Sequence, residues 1–258
     1  MHIYIYDDYI NTKKYDAVLA RVETRITDLG LNGKIIRLGV MRDIFDAVEN
    51  ELKREAKTIV AVGNDKTINK TINAIVNAEI RSGMNFKTPL GIIPLGEKNN
   101  SIARALGVAT AEDGCDTLSA RMIEKLDLGR ANNNFFLSQA KITGHGTVLE
   151  INKNYSIEIT EPGIIRIINL LTEDDLPKNI NPNPGDGLLE LCIKTKPAKK
   201  FFKLNQAAGQ SFFSLKKLTV INEKSPLILD GAIEIKTPAE ITVGSRKINI
   251  IVGKDRQF

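Results

Sequence analysis

The chain has 258 residues, a hydrophobic fraction of 42%, a charged fraction of 26% and a formal net charge of +5. These values are ordinary for a soluble globular protein and allow one large domain or two smaller ones. No apolar run approaches the ~20 residues of a transmembrane helix, and the alternating, acidic N-terminus is unlike a signal peptide. We therefore expect a cytoplasmic protein, with a peripheral position at a membrane left open.

Cysteine and histidine are too sparse for the common metal centres. Cys115 and Cys192 match no metal or redox spacing, and the histidines are His2 and His145 alone. We expect two reduced structural thiols and no histidine-rich metal site. His145 lies in a glycine-flanked turn, TGHGT, and is predicted to be structural.

The first part of the chain alternates between strand and helix patterns. Strands are predicted at HIYIY, KIIRLGV, TIVAV and LGIIPLG, and helices at residues 14–29, 42–56, 67–81 and 100–107. Continuous apolar strands separated by helices predict a parallel sheet that is covered on both faces. Ligands of such sheets bind beyond the C-terminal ends of the strands. The turns at 63–67 and 96–100 lie at that edge.

The second part of the chain is mostly β-patterned. Short strands separated by Gly, Asn and Pro predict an antiparallel sandwich or barrel. A short helical pattern at residues 108–124 connects the two parts, and residues 172–187 form a polar, proline-bearing loop. The predicted fold is therefore an N-terminal parallel-sheet α/β domain at 1–122 and a C-terminal antiparallel β-sandwich domain at 123–258.

A lysine-rich run with phenylalanines, KTKPAKKFFK, occupies residues 194–203. Such a run could contact an anionic membrane surface or nucleic acid. The simpler interpretation is a solvated strand edge that lysine protects from aggregation. We expect no nucleic-acid partner, and we leave open both a lipid or membrane partner and a homodimer.

Four sequence blocks span most of the chain: VGNDKTINK, PLGEKNNSIARALG, GDGLLELCI and LILDGAIEIKTPAEITV. In this order they resemble the diacylglycerol kinase catalytic-domain family, which includes bacterial lipid kinases. They resemble the family patterns VGGDGT, PLGTGNDFAR, DG-L-D and DGE followed by P-A. NAD kinases share the first pattern, but the further Asn-Glu/Asp motif expected of them is missing here.

The resemblance implies a lipid kinase that transfers a phosphoryl group from ATP to a lipid hydroxyl with Mg²⁺. It implies that the first two turns hold nucleotide phosphates, and that Asp65 and Asp230 act near the phosphates and the acceptor, respectively. The implied nucleotide-binding positions are Gly63, Asn64, Asp65, Lys66, Thr67, Asn69, Gly96 and Asn100. Asp186 matches a family aspartate near a structural Mg²⁺, but an Asp-Gly β-turn is an equal alternative.

Several positions depart from the family pattern where the chemistry is expected. Two family glycines are replaced by Asn64 and Lys66, and Thr-Gly is overwritten at residues 97–99. Glycine there would allow a positive φ, which costs lysine ~1–2 kcal/mol. The DGE motif ends in Ala232, and the first strand leads into DDYINTKK without proline or glycine. The resemblance therefore implies ATP and Mg²⁺ as cofactors, and the departures imply that phosphoryl transfer is weakened or lost.

Two explanations of these departures remain open. The nucleotide site has decayed, or lysines at positions 66, 70 and 98 replace backbone amides in attracting a phosphorylated ligand. The alternative function is accordingly an inactive pseudokinase that binds a lipid or another anionic ligand. Arg104 is expected to cap or flank its own helix, although its position in the family pattern suggests contact with a phosphate. Asp7 and Asp8 are expected to be solvated loop carboxylates.

Overall fold

The computed structural model describes residues 1–39, 43–96, 100–151, 155–172, 176–177, 180–195 and 210–258. The chain divides into two compact units, Met1–Leu126 with Arg246–Phe258, and Asp127–Ser245. Residues 246–258, which sequence analysis assigned to the second domain, thus group with the first unit. Among the described residues, no helix is long and apolar enough to cross a membrane.

The first unit contains the predicted alternation of strands and helices. Its strands are β1 His2–Tyr6, β2 Gly33–Arg37, β3 Thr58–Gly63 and β4 Leu90–Pro94. Its helices are α1 Asp16–Asp28, α2 Ile44–Lys53, α3 Asp65–Ser82, α4 Ser101–Ala105 and α5 Ala111–Ala120. Two 3₁₀ helices, Asp8–Ile10 and Lys13–Tyr15, follow β1.

The strands of this unit form a parallel sheet in the order β2-β1-β3-β4. Residues of β1, β3 and β4 are fully buried, as expected for parallel strands with helices over them. Helices α1 and α5 share a core cluster with Tyr4, Val60 and Ile93. Helix α2 packs on α3, and α3 packs on β3. The parallel α/β prediction is confirmed.

The second unit is built almost wholly from antiparallel strands. They are β5 Ile123–Ala131, β6 Asn134–Phe136, β7 Gln139–Thr143, β8 Thr147–Ile151, β9 Tyr155–Ile159, β10 Gly163–Ile168, β11 Leu189–Thr195, β12 Gln210–Leu215, β13 Lys217–Ile221, β14 Leu227–Leu229, β15 Ile233–Ile235 and β16 Ala239–Ile251. The long strand β16 has residues in both units, and its Ile250 pairs in parallel with Leu90 of the first unit's sheet.

One sheet of the second unit has the order β12-β11-β10-β7-β14-β15, and a second ladder joins β16, β13, β8 and β9. Residues from both, such as Ile165 and Leu191 in the first and Leu149 and Leu218 in the second, form one core cluster. Two antiparallel layers over a shared core are a sandwich. The predicted C-terminal β-sandwich is confirmed.

Two predicted segments differ in detail. NNFFLSQAKI was predicted as one strand but forms β6 and β7, because the backbone of Leu137 and Ser138 bonds to a side chain instead of a strand. AEITVG and KINIIVG were predicted as two strands but form the single strand β16, since Gly244 stays in the ladder conformation.

Candidate functional site

The first turn connects the buried strand β3 to helix α3 between Gly63 and Thr67. A Cβ atom at Gly63 would lie 2.2 Å from the Thr67 hydroxyl oxygen, so only glycine fits there. The Gly63 carbonyl accepts a hydrogen bond from the Leu95 amide at 2.9 Å. The turn after β3 and the end of β4 are therefore neighbours, as predicted from the parallel sheet.

Asn64 caps the N-terminus of α3 with its own side chain. Its Oδ1 accepts hydrogen bonds from the amides of Lys66 and Thr67 at 3.0 and 3.3 Å, while its own amide donates to Thr67 Oγ1 at 3.2 Å. This is a capping box, which satisfies helix donors that otherwise have no intrahelical partner. Two amides at the N-terminus of α3 that could otherwise bind an anion are thus already bonded.

The expected backbone strain at the replaced glycines is absent. Asn64 has an extended conformation with φ −101° and ψ −172°, and Lys66 lies inside α3. Neither residue needs a left-handed backbone, so the predicted cost for lysine was wrong. The replacements change the side chains that occupy the turn and leave the backbone unstrained.

Asp65 is buried and binds the start of the next helix. Its Oδ2 accepts from the amide and hydroxyl of Ser101 at 2.9 and 2.7 Å, and its Oδ1 accepts from the amide of Ile102 at 3.0 Å. The carboxylate is 6% exposed and neutralises the positive end of α4. Asp65 therefore holds the segments after β3 and β4 together.

Asp7 is buried, contrary to the expectation of a solvated loop carboxylate. It is 6% exposed, and its Oδ2 accepts from the Thr67 hydroxyl at 2.6 Å and lies 3.9 Å from the Lys70 ammonium. Its backbone amide donates to the Val62 carbonyl. The position follows from parallel pairing of β1 with β3, which places the ends of both strands at one edge.

Tyr9 reaches across the first turn to the end of β4. Its hydroxyl donates to the Leu95 carbonyl at 2.7 Å. Burial raises the pKa of Tyr9 far above its usual range, with a further contribution from Asp7, while hydrogen bonding with Thr67 and the Asn64 backbone acts in the opposite direction. The phenol is therefore tied to Leu95, whose amide bonds to Gly63 of the first turn. Sequence analysis missed Tyr9.

The described part of the second turn is also internally bonded. The Asn100 side-chain amide donates to the Gly96 carbonyl at 2.8 Å, and Gly96 has a φ of 112°. The Asn100 Oδ1 finds no partner among the described residues. Residues 97–99 lie outside the described residues, and with them the lysine at position 98 that is predicted to attract a phosphorylated ligand. Asn69 is buried in α3, where Asn73 donates to its Oδ1 at 3.1 Å.

Asp230 belongs to the second unit and is 7% exposed. Its Oδ1 accepts from the Ser138 amide and hydroxyl and the Gln139 amide at 2.9, 2.7 and 2.9 Å, and its Oδ2 accepts from the Leu137 amide at 2.8 Å. The carboxylate thus fixes the chain between β6 and β7.

Asp186 is an exposed turn residue. Its Oδ1 accepts from the Leu188 amide at 2.9 Å, as in an Asx turn. The next residue, Gly187, donates its amide at 3.0 Å to Asp127, a buried carboxylate that sequence analysis did not single out. The structure thus shows a turn at Asp186, and a role of Asp186 in metal binding stays a prediction. Within the described ranges, no three His, Cys, Asp or Glu side chains cluster as a metal site.

Arg104 is exposed and does not lie on the first turn. It lines a cleft of about 740 Å³ together with Thr117, Met122 and Lys254 in the first unit. The two cysteines are free and buried, and burial raises the pKa of Cys115 to about 11. The prediction of reduced structural thiols agrees with this environment.

Sequence comparison identifies the family. A profile of the diacylglycerol kinase catalytic domain matches residues 3–131, half of the chain. The chain belongs to the diacylglycerol kinase catalytic-domain family. The matched region contains the first two sequence blocks and both turns described above, whereas the blocks with Asp186 and Asp230 lie beyond it.

Individual family members resemble the chain over different lengths. It is 31% identical over 225 residues to a “Putative lipid kinase” of Streptococcus pneumoniae TIGR4, covering 81% of this chain and 69% of that protein. It is 27% identical over 149 residues to a “Diacylglycerol kinase” of Bacillus subtilis 168, covering 57% and 46%. The match to the second relative thus spans less than half of that protein's length.

Solved structures show the same fold. A diacylglycerol kinase from Bacillus anthracis Sterne has a TM-score of 0.75 at 16% identity, covering 98% of this chain and 97% of that chain. An NAD kinase from Archaeoglobus fulgidus in complex with ATP has a TM-score of 0.57 at 12% identity, covering 100% and 96%. The diacylglycerol kinase fold extends over both units of the family member described here.

The residues of this family member do not fit a nucleotide phosphate in the arrangement described. A phosphate at a strand–turn–helix needs free amide donors and space for its oxygens. Here Asn64 accepts from the Lys66 and Thr67 amides, and the Tyr9 phenol bonds to Leu95, whose amide bonds to Gly63 of the turn. The carboxylate expected beside Mg²⁺, Asp65, is engaged by the start of α4.

Proposed function

We propose that this protein is a lipid-kinase homologue that has lost ATP-dependent phosphoryl transfer and acts by binding a lipid or another anionic ligand. The observation that carries the proposal is the state of the two expected catalytic carboxylates. Asp65 accepts at least three hydrogen bonds and Asp230 at least four, and these donors belong to backbone segments and serines of the protein itself.

A general base must direct a free lone pair at the hydroxyl whose proton it removes. A carboxylate offers about four lone-pair sites in all. Both carboxylate oxygens of Asp65 and both of Asp230 already accept at least one hydrogen bond from the protein, so a substrate hydroxyl would have to compete with these structural contacts. Ala232 additionally removes the carboxylate that would end the DGE motif.

The anionic-ligand part of the proposal is supported by charge at the first turn. Lys66 is exposed in the first turn of α3, and Lys70, half exposed, pairs only loosely with Asp7 at 3.9 Å. The net charge of +5 also favours anionic partners. A cytoplasmic location, a peripheral membrane contact and a homodimer stay predictions.

A second candidate is the active lipid kinase, with ATP and Mg²⁺ as implied by family membership. It is favoured by the retained Gly63, Asp65 and Thr67 and by the closeness of the two turns. In this candidate Asp65 lies beside the phosphates and metal, and Asp230 lies nearest the acceptor. Asp186 would then belong to a structural Mg²⁺ site.

Transfer of labelled phosphate separates the two candidates. The purified protein is incubated with γ-labelled ATP, Mg²⁺ and either diacylglycerol in mixed micelles or a mixed lipid extract. We expect no labelled lipid. Labelled lipid that disappears with Asp65→Asn and persists with Lys254→Ala, an exposed control, would establish the kinase instead.

Flotation with vesicles tests the binding function. We expect the protein to float with vesicles of phosphatidylglycerol and not with vesicles of phosphatidylcholine, because only the first carry net negative charge. Lys66→Ala should weaken this binding and Lys66→Arg should preserve it. Equal recovery with both kinds of vesicle would contradict recognition of an anionic headgroup.

A further inference from the structure

We propose that the protein fills its own phosphate turn, with Asn64 and Tyr9 in the place of phosphate oxygens. Removal of these two side chains converts the turn into a site for a phosphate-bearing ligand. The inference deepens the proposed function and rests on it for the expectation that the natural chain transfers no phosphate. It concerns only the turn Gly63–Thr67 and the segment that follows β1.

The Asn64 carboxamide oxygen occupies the acceptor position at the N-terminus of α3. It lies 3.0 Å from the Lys66 nitrogen and 3.3 Å from the Thr67 nitrogen, which are ordinary hydrogen-bond distances. An anion at a helix N-terminus would accept from these same donors. A glycine at position 64 carries no such oxygen, so both amides would be open to a ligand.

The Tyr9 phenol lies beside Leu95, the residue that follows β4. Its oxygen donates to the Leu95 carbonyl at 2.7 Å, and the Leu95 amide donates to the Gly63 carbonyl of the turn at 2.9 Å. Hydrogen bonding with Thr67 and the Asn64 backbone also acts on the pKa of the phenol. The phenol therefore connects the turn after β3 to the end of β4. A phosphate bound between these two segments would occupy the same space.

The segment carrying Tyr9 is fixed at several points. Asp7 accepts from Thr67 at 2.6 Å and from the Asp8 amide at 2.8 Å, and Asn11 donates to the Leu38 carbonyl at 3.2 Å. The rings of Tyr9 and Tyr15 meet edge to face with centroids 5.7 Å apart. These contacts fix the segment that carries Tyr9, so the phenol is held at the turn by the fold itself.

The chemistry of the opened turn is that of a phosphate oxyanion site. Two backbone amides would be released beside Lys66, whose ammonium is exposed at the same helix turn. Neighbouring backbone donors together with a lysine suit a phosphate group. The phosphate could come from a nucleotide, from inorganic polyphosphate or from a phosphorylated lipid headgroup, and the test must distinguish these sources.

The test is isothermal titration of the full chain with sodium tripolyphosphate, MgATP and micellar short-chain phosphatidic acid as separate probes. The proteins are the natural chain, Asn64→Gly, Tyr9→Ala and the double variant. Asn64→Ser retains a capping oxygen, and Tyr9→Phe retains the ring, so these are the matched controls. Cooperative thermal unfolding is checked for every protein.

We expect at least one probe to bind the double variant at least 10-fold more tightly than it binds the natural chain, with Asn64→Ser unchanged. The probe that gains most identifies the source of the phosphate. Because glycine is well tolerated at an N-cap, Asn64→Gly carries the test alone if the double variant does not fold. Equal affinity of the natural chain and the folded opened variants for all three probes overturns the inference.

The two proposals can fail separately. Transfer of label to lipid by the natural chain would overturn the proposed function, yet tighter phosphate binding by the opened variants would still support the self-filled turn. Conversely, unchanged phosphate binding by those variants would overturn the self-filled turn and leave the absence of transfer intact.

Discussion

At the scale of single residues, one side chain changes what the first turn can bind. Asn64 adopts a backbone conformation open to any residue, so its effect comes from the carboxamide oxygen alone. The same oxygen that stabilises α3 takes the donors that an anion would use. Local helix stability and anion binding therefore compete for the same two amides.

Thr67 is the residue on which the buried Asp7 depends. Replacing Thr67 with valine keeps the shape but leaves the Asp7 carboxylate without the 2.6 Å hydrogen bond. We expect Thr67→Val to lower the free energy of unfolding by about 2 kcal/mol, the cost of an unsatisfied buried acceptor. Chemical denaturation measures this loss. Thr67→Ser should recover most of it, and equal stability of the valine variant and the natural protein would refute the contact.

His2 makes stability depend on pH. Burial lowers its pKa from 6.5 to about 4, with Lys57, Arg121 and the N-terminus contributing in the same direction. Between these pH values the unfolded chain binds more protons than the folded one, so the free energy of unfolding falls as the pH falls from 6.5 toward 4. The contribution of His2 is at most roughly 3 kcal/mol.

Denaturation of the natural protein and His2→Gln at pH 7 and near the lower pKa value tests this contribution. The glutamine variant lacks the titrating group, so its stability should fall less on acidification. Identical losses for the two proteins would show that His2 does not titrate abnormally.

At the scale of secondary-structure elements, α4 depends on a residue from another helix. It spans only Ser101–Ala105, which is too short to be stable alone. Asp65, in the first turn of α3, accepts from its first two amides. The carboxylate of Asp65 therefore ties the start of α4 to α3.

Asp65→Ala should accordingly destabilise the protein as well as alter any chemistry. Three donors lose their acceptor, and we expect a loss of about 3 kcal/mol in the free energy of unfolding. Ser101→Ala removes only the hydroxyl bond and should cost about 1 kcal/mol. If Asp65→Ala unfolds at the same denaturant concentration as the natural protein, the carboxylate does not hold α4.

The elements were more predictable from the sequence than the contacts between them. Residues 67–81 were predicted as a helix and α3 spans Asp65–Ser82, since helix periodicity is a local property. The burial of Asp7 and the position of Tyr9 were not predictable in this way. They depend on Thr67 and Leu95, which are 60 and 86 residues distant in the chain, and no local pattern encodes such pairs.

The position of the candidate site in the fold was predictable from the sequence, but the side-chain contacts within the site were not. Parallel strand order placed the turns after β3 and β4 at one edge, which the structure shows. The role of Asp65 as an anchor for α4 could not be read from its motif, because the motif gives the residue type and not its partners. Asp127 was missed for a similar reason, since its partner Gly187 lies 60 residues away.

At the scale of the whole molecule, the two ends of the chain share one unit. Residues 246–258 group with residues 1–126, and Ile250 pairs with Leu90. The close approach is made by two glycines, because a Cβ at Gly253 would lie 1.9 Å from the Gly107 carbonyl oxygen. The first unit is therefore complete only when the C-terminal residues pack into it.

Gly253→Ala should disturb the packing of the C-terminal residues against Gly107. We expect a loss of about 2–3 kcal/mol in the free energy of unfolding, as for overpacked buried positions. Lys254→Ala, the next residue and exposed, is the control and should be nearly neutral. Denaturation followed by circular dichroism gives both values. A neutral Gly253→Ala would mean that the C-terminal segment does not pack against Gly107.

The backbone amides of Lys66 and Thr67 are closed to phosphate by the protein's own side chains, and the exposed Lys66 ammonium remains to attract an anion. Titration of ¹⁵N-labelled natural protein with MgATP to millimolar concentration, followed by NMR, measures this directly at the amides of Asn64, Asp65, Lys66 and Thr67. The account predicts that these four resonances do not move in the natural protein and do move in the Tyr9→Ala, Asn64→Gly double variant. Saturable shifts of the Lys66 and Thr67 amides in the natural protein would contradict it.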